Sequence, residues 1–268
     1  TILQLYIGLF IVTLKHSPMI VTKITCQALF CSLLFISFTA FSQNSSIPKW
    51  EAGIHAGGFI YQGDLTPHMF GSVETIKPGV GIYATRIINK SFSARLLFNM
   101  AWLAGDESIY KTPRYRQQRN FSFNATVKEF SLLLHWDIYG SNYDERKFAP
   151  YLFAGAGASV VNINRDYSRI NLSYFGEVSP VVTGLAVDAV TPTPKVVPVL
   201  PLGAGLRYNL SSRLAINGEA SYRLMRTDYL DGFSMSADPN QKDHYSSLTI
   251  GIAYKFGNKE KYGCPTVN

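Results

Sequence analysis

Charged residues are scarce in this sequence, and long hydrophobic runs are missing after its first segment. Only 16% of the 268 residues are Asp, Glu, Lys or Arg, whereas soluble domains usually carry about a quarter. An ordinary cytosolic globular protein is therefore disfavoured. Within residues 43–268 no run approaches the roughly 18 consecutive apolar residues that indicate a transmembrane helix. A helical membrane protein is thus disfavoured for that part of the chain.

Acidic residues are absent from residues 1–42, where the only Lys or Arg residues are Lys15 and Lys23. An apolar stretch follows Lys23, and Ala40-Phe41-Ser42 then places small residues where a signal peptidase reads them. We predict that residues 1–42 are a secretory signal peptide, with a possible misread start upstream of Met19. The alternative is an anchor helix that the mature protein keeps, although the apolar core is short for a span.

Cysteine is nearly absent from the predicted mature chain. Cys26 and Cys31 fall in the signal peptide, which leaves Cys264 alone. In an oxidising, exported setting, one unpaired cysteine suggests an intermolecular disulfide or a reactive thiol. An idle residue near the chain end fits equally well. The excess of basic residues is mild and dispersed, which argues against a nucleic-acid partner.

Aromatic residues and glycine are abundant, with 17 Phe, 16 Tyr and 21 Gly. Apolar side chains alternate with small or polar ones in five segments, which begin at Trp50, Phe92, Phe130, Leu214 and Leu248. Three segments of similar length alternate less cleanly, at 79–89, 149–162 and 198–210. Period-2 alternation in segments of about ten residues is typical of outer-membrane barrels. We predict an all-β fold over residues 43–257: an eight-stranded antiparallel transmembrane barrel.

Short and long connections alternate along the predicted barrel. Short ones lie at Asn89-Lys90 and near 209–212, and long ones at 63–78, 104–120, 163–197 and 228–243. Because such barrels have short periplasmic turns and long extracellular loops, we expect both termini in the periplasm and residues 258–268 to form a periplasmic tail. The Pro-rich stretch 176–198 is expected to be an irregular extracellular loop. A soluble lipocalin-like barrel is the alternative, but its apolar face would point inward.

The polar faces of the strands carry four acidic and four basic residues. If the apolar faces meet lipid, these eight side chains share the lumen, where buried charges persist when they are paired. Since an eight-stranded barrel is just filled by its own side chains, we predict a packed polar plug rather than a channel. The predicted charge network comprises Glu51, Arg95, Glu129, Asp137, Arg207, Glu219, Arg223 and Lys255.

Signals for catalysis are weak. His244-Tyr245-Ser246 is similar to the His-x-Ser element of outer-membrane lipid A deacylases, but Glu260 is the only downstream glutamate available to orient the histidine. His55, His68, His135 and His244 lack the i,i+2 or i,i+4 spacing of metal ligands. No glycine-rich phosphate loop occurs. We predict a protein that is not an enzyme and that has no cofactor, metal or small-molecule substrate.

Several segments, taken in order, resemble one family. They are Tyr61-Gln62-Gly63-Asp64-Leu65, Arg119-Asn120-Phe121-Ser122-Phe123 before Glu129, Phe148-Ala149-Pro150-Tyr151, Gly155-x-Gly157, Arg226-Thr227-Asp228-Tyr229-Leu230-Asp231, Phe256-Gly257 and Cys264-Pro265. This order resembles the PorG-like outer-membrane proteins of the type IX secretion system, a DUF6089-type family. The long, Pro-rich 163–197 loop departs from the pattern.

The resemblance implies a non-enzymatic part of a protein-export machine in the cell outer membrane. The barrel would hold a periplasmic ring, made of a lipoprotein and a partner subunit, and Cys264 would form a disulfide with the ring lipoprotein. The charged turn 139–148, which contains Asp144 and Glu145, is a second candidate contact, or simply a solvated turn. The alternative is a generic small barrel that binds an extracellular ligand or braces the envelope.

Overall fold

The computed structural model describes residues 50–68, 70–143, 146–238 and 242–256, and eight strands in these ranges form a closed barrel. The strands are β1 (Trp50–Gln62), β2 (Lys77–Ile87), β3 (Phe92–Asp106), β4 (Ser122–Asp137), β5 (Phe148–Asp166), β6 (Val196–Asn209), β7 (Leu214–Met225) and β8 (His244–Phe256). Each strand is antiparallel to its neighbours in chain order. β8 closes the barrel on β1, from Trp50↔Phe256 to Gln62↔His244. The predicted fold class is confirmed.

The connections differ in length at the two ends of the barrel. Four long connections lie at one end: L1 (63–76), L2 (107–121), L3 (167–195) and L4 (226–243). Three short turns lie at the other end, at 88–91, 138–147 and 210–213. By the rule that outer-membrane barrels have long extracellular loops, the L1–L4 end is extracellular and the short-turn end is periplasmic.

Helices in the described ranges are short. The α-helices are α1 (Arg114–Arg119) in L2 and α2 (Leu172–Phe175) and α3 (Pro180–Val190) in L3. Single 3₁₀ turns occur at Val73–Thr75, Glu107–Ile109 and Ser141–Tyr143. None of these helices has the length and hydropathy of a membrane span.

Apolar side chains cover the outside of the barrel wall. Along β4, Phe130 and Leu132 are 58% and 55% exposed, whereas Glu129 and Ser131 between them are buried. Successive side chains of a strand point to opposite faces, so the polar set faces the lumen and the apolar set faces lipid. This is a transmembrane barrel of the outer-membrane type, and the lipocalin-like alternative is wrong.

An aromatic girdle surrounds the periplasmic end of the wall. Trp50 begins β1, Trp136 lies near the end of β4, and Tyr254 and Phe256 close β8, all with exposed outward rings. The guanidinium carbon of Arg86 lies 4.9 Å from the centre of the Trp50 ring. Amphipathic rings of this kind mark the membrane–water boundary. Trp102 lies nearer the extracellular end of β3.

The stretch 176–198 is not irregular, which corrects the prediction. Ser179 caps α3, since its Oγ accepts a hydrogen bond from Val182 N, and Pro180 occupies the first turn. Serine at the N-cap followed by proline is a helix-start signal. The prolines nearby obscured it in the sequence. β6 then begins at Val196, two residues before the predicted start.

One strand, β5, extends beyond its predicted end. β5 continues to Asp166, and its last residues pair with the start of β4, from Thr126↔Asn162 to Ser122↔Asp166. Polar residues occupy both faces of this extension. The apolar/polar alternation therefore stops before the strand does, and backbone pairing with β4 sustains the extended conformation.

Glycines in β6 and β1 make room for aromatic rings. Gly205 pairs with Tyr151 across the β5–β6 ladder, and a Cβ on Gly205 would lie 2.4 Å from Tyr151 Cζ. Gly53 has the same relationship with Tyr83, at 2.3 Å. Each missing side chain lets a neighbouring tyrosine lie flat against the inner wall, from where it reaches into the lumen.

Candidate functional site: the filled lumen and the loop cap

The central layer of the lumen is a buried ion pair with its own hydrogen-bond partners. Arg95 Nη1 on β3 lies 2.5 Å from Glu219 Oε1 on β7. Tyr151 Oη donates to the same carboxylate oxygen, and Arg95 Nε donates to Thr85 Oγ1 at 3.1 Å. Arg95 also lies 4.0 Å from the ring centre of Tyr83. This layer joins strands that are not neighbours.

A second pair lies closer to the extracellular end. Arg223 Nε donates to Glu129 Oε2 at 2.9 Å, which links β7 to β4. The carboxylate of Glu129 also accepts hydrogen bonds from Tyr245 and Ser131, and Arg223 donates to Ser247 Oγ at 2.7 Å. Both charges are therefore compensated inside the barrel, as buried charges require.

The remaining four predicted lumen residues lie at the periplasmic end. They differ in the kind of partner that each one has. Arg207 Nη2 lies 3.5 Å from Glu51 Oε2, and Lys255 Nζ donates to Asn209 Oδ1 at 2.9 Å. Asp137 is buried here too, but its carboxylate caps the following turn by accepting from Tyr139 N, Ser141 N and Ser141 Oγ. The turn, not a cation, satisfies Asp137.

Interior tyrosines complete the network, and they are not among the lumen residues predicted from the sequence. Tyr151 and Tyr245 bridge to Glu219 and Glu129, and Tyr83 accepts a hydrogen bond from Asn217 at 2.7 Å. Their positions in the period-2 pattern would have placed them inward. Cross-lumen contacts at three levels fill the interior with side chains.

The extracellular mouth is covered by L1–L4, which pack together as a unit that we call the loop cap. Glu107 in L2 binds two arginines of α1: Arg119 Nη2 at 2.6 Å and Arg116 Nη1 at 3.1 Å. Arg116 also donates to the carbonyls of Asp64 and Thr66 in L1, and Arg119 donates to the carbonyl of Ser236 in L4. One buried carboxylate thereby orients two arginines that join three loops.

Asp188 of α3 fastens L3 to L4. Its carboxylate is fully buried and accepts hydrogen bonds from the backbone N–H groups of Ser234, Met235 and Ser236. Ser236 Oγ donates to it as well, at 2.6 Å. Consecutive N–H groups that converge in this way form an anion-binding nest. Here the bound anion is the protein's own side chain.

The loop cap contains an apolar core. The ring of Phe121 in L2 stacks on Phe233 in L4 with centroids 4.4 Å apart, and Tyr61 packs edge-on against Phe123 at 4.7 Å. Leu65 and Leu230 are fully buried in the same cluster. The cap is thus a folded layer with its own core, and it closes the barrel above the ionic network.

Tyr61 joins two buried carboxyl groups in this cap. Its Oη lies 2.7 Å from Asp231 Oδ2 and 2.6 Å from Asp243 Oδ1. A phenol has one hydroxyl proton, so the second contact requires a proton on one carboxyl. Burial raises the pKa of Asp243 to about 8, and burial together with the nearby Asp243 raises the pKa of Asp231 well above its usual range. At least one of the two carboxyls therefore keeps its proton at neutral pH.

The candidate catalytic element does not form a catalytic arrangement. Ser246 Oγ accepts a hydrogen bond from Gln62 Nε2, and His244 Nδ1 accepts one from Met225 N. Among the described residues, no carboxylate is hydrogen-bonded to His244, and no group of three or more His, Cys, Asp or Glu side chains is placed to hold a metal ion. Residues 1–42, Asp144, Glu145 and Cys264 lie outside the described residues.

Comparison with known proteins gives similar barrels at low identity. The structure of Ail, the attachment invasion locus protein of Yersinia pestis, in complex with a heparin analogue is 15% identical, with 78% of this chain and 99% of that chain covered and a TM-score of 0.40. The outer membrane protein OprG of Pseudomonas aeruginosa is 13% identical, covering 79% and 98%, with a TM-score of 0.41. Neisserial surface protein A is 14% identical, covering 78% and 97%, also at 0.41.

Similarities at this level carry no conclusion about function. No curated protein matches the sequence. One family does match, and over most of the chain, from residue 27 to residue 265. The chain therefore belongs to the family described as Domain of unknown function (DUF6089).

Proposed function

We propose that this protein is a PorG-like, non-enzymatic structural component of the type IX protein secretion machinery. In this role it anchors the periplasmic ring of the apparatus, through a ring lipoprotein and its partner subunit, to the outer membrane. The barrel serves as the membrane-embedded body, and the residues after β8 make the periplasmic contact. The proposal assigns no pore and no reaction to the barrel.

The observation that carries the proposal is the convergence of three segments of the PorG-like resemblance. These segments are 61–65, 119–123 and 226–231, and they are far apart in the sequence. In the folded chain Tyr61 donates to Asp231, and Leu65, Phe121 and Leu230 share one apolar core. The resemblance therefore covers residues that depend on one another in a single folded layer, which supports descent from a common fold more strongly than separate short matches would.

The filled lumen also supports an anchoring role. Arg95–Glu219 and Arg223–Glu129 span the interior, and the loop cap closes the extracellular end. A barrel with this interior is a rigid body suited to holding a partner in place. β8 ends at Phe256, at the periplasmic end, so the chain leaves the barrel on the side where a periplasmic ring would lie.

The test is the state of Cys264 in intact outer membranes. Membranes with the native protein and with the Cys264→Ser variant are compared on non-reducing and reducing gels, and the higher band is identified by mass spectrometry. We expect a reductant-sensitive adduct that contains a ring lipoprotein and disappears in the variant. The heat-modifiable folded band serves as the control that both barrels are intact.

A monomer band under all conditions would overturn the covalent tether. Secretion of type IX cargo in cells that lack this protein is the second measurement. Unchanged secretion there would overturn the whole assignment and leave a generic envelope barrel as the better explanation.

A further inference from the structure

A polar cavity of about 580 Å³ opens at the extracellular rim of the barrel. We call it the rim cavity. It lies where the ends of β1, β7 and β8 meet L1 and L4, on the opposite side of the membrane from the proposed ring contact. Its volume falls in the range of about 300–1,000 Å³ that is usual for small-molecule sites. The proposed secretion role does not use it.

The lining of the rim cavity is positively charged. Arg116 and Lys242 contribute cations, His68 and His244 contribute imidazoles, and none of the nine described lining residues is acidic. Glu107 shares its one negative charge between Arg116 and Arg119, and Asp228 lies within electrostatic reach of Lys242. Lys242 is exposed and can move toward a ligand. This arrangement favours an anion.

Two buried lining residues have polar atoms without partners. Gln62 is 5% exposed; its Nε2 donates to Phe70 O and Ser246 Oγ, while its Oε1 accepts nothing. Arg116 is 8% exposed, and its Nε–H has no acceptor although both of its terminal nitrogens do. Buried polar atoms normally have at least one hydrogen-bond partner. Both residues line the cavity, and each keeps hydrogen-bonding capacity that the described protein does not use.

Two aromatic rings also line the rim cavity. Tyr222 and His244 lie side by side on β7 and β8, with ring centroids 5.6 Å apart. Aromatic faces suit the C–H surface of a sugar ring, an amide oxygen accepts from a sugar hydroxyl, and Arg and Lys bind phosphate. The rim is also at the level of the outer-leaflet headgroups. We propose that the rim cavity binds a phosphorylated sugar.

Two sources offer this chemistry: the headgroup of an outer-leaflet glycolipid and a free sugar phosphate. The first probe is glucose 6-phosphate, titrated against the full-length protein in detergent by calorimetry, beside glucose and inorganic phosphate alone. The second probe is a set of vesicles that contain lipopolysaccharide, either intact or enzymatically dephosphorylated, to which the same protein is added. Binding of the soluble probe assigns a free sugar phosphate, and phosphate-dependent binding of the vesicles alone assigns the glycolipid.

Lys242→Glu is the test variant because Lys242 is exposed and its side chain makes none of the buried hydrogen bonds described above. Lys195→Glu is the matched control, since it makes the same charge change at an exposed position before β6. We expect Lys242→Glu to weaken binding at least about tenfold, which is the usual effect of losing a charge-assisted hydrogen bond, and Lys195→Glu to leave it unchanged.

The proposal is overturned if neither probe gives saturable binding. It is also overturned if the two variants weaken binding equally, since that shows attraction by net charge, or if inorganic phosphate binds as tightly as the sugar phosphate. Because the rim cavity is extracellular and Cys264 belongs to the predicted periplasmic tail, failure here leaves the tethering test unaffected.

Discussion

Arg95 and Glu219 meet in the middle of the lumen, with Nη1 and Oε1 2.5 Å apart, although β3 and β7 are not neighbouring strands. Adjacent strands of a barrel are held by backbone hydrogen bonds. Strands on opposite sides of the wall are coupled only by side chains that cross the interior. This pair therefore acts as a brace between two sides of the barrel.

Removing one member of this brace should be strongly destabilising. In Glu219→Ala the Arg95 guanidinium stays buried and loses its closest carboxylate, which we expect to lower the free energy of unfolding by about 3–5 kcal/mol. Urea unfolding in lipid vesicles, followed by heat-modifiable mobility, measures this. Glu74→Ala, at an exposed L1 position, is the control. The double variant Arg95→Met with Glu219→Leu should lose less than the single variant, and an equal or larger loss would contradict the brace.

The inward glycines should be intolerant of a methyl group where a tyrosine lies over them. In Gly205→Ala the new Cβ displaces Tyr151, which then loses its hydrogen bond to Glu219. We expect a loss of about 1–3 kcal/mol, measured by the same unfolding experiment. Gly218→Ala on β7 is the control, because its Cβ would have no neighbour within 4 Å. Equal stabilities for the two variants would show that the Tyr151 contact does not restrict the site.

We expect the loop cap to be more stable at acidic pH than at alkaline pH. Burial raises the pKa of Asp243 to about 8 and that of Asp64 to about 7, well above about 3.9 for Asp in an unfolded chain. Between about pH 4 and pH 8 the folded cap therefore holds protons that the unfolded loops release. Its stability falls as pH rises through this window and levels off above it.

Limited proteolysis of L4 at pH 5.5 and pH 9 measures this difference, with faster cleavage expected at pH 9. Asp243→Asn mimics the protonated carboxyl, since an amide can donate to Tyr61 Oη and still accept from Leu230 N. The variant should reduce the pH dependence while keeping the cap closed. Cleavage rates that change with pH as in the native protein would count against the Asp243 assignment. Casein cleaved in parallel corrects for the protease's own pH profile.

Asp188 should control the attachment of L4 to L3. Asp188→Ala leaves three backbone N–H groups without their acceptor, at a cost of about 1–3 kcal/mol for each buried group left unsatisfied. We expect faster hydrogen exchange at residues 234–236 and unchanged exchange in the strands. Glu177→Ala, an exposed acidic position in L3, should have no effect. Loss of strand protection in Asp188→Ala would show that the cap and the barrel are not separable.

The barrel could be predicted from the sequence because its signal is local. The alternation around Phe130 and Leu248 follows from the pleat, which sends successive side chains to opposite faces whatever their partners are. The number of alternating segments predicted eight strands, and the connection lengths supported that count and predicted the orientation. The signal failed where both faces are polar, as at the end of β5, and where Ser179-Pro180 begins a helix inside a Pro-rich loop.

The partners inside the lumen and in the loop cap were decided by the tertiary structure. The inward position of Arg95, Glu219 and Asp137 follows from their place in the alternation, but the partner of each side chain does not. That depends on the stagger between strands, which sets the height of each side chain around the barrel. In the folded barrel Asp137 lies at the height of a turn, and Glu219 lies at the height of Arg95. The sequence by itself determined the wall of this protein, whereas its filling and its cap required the folded chain, because they join residues from separate strands and loops, such as Arg95 and Glu219.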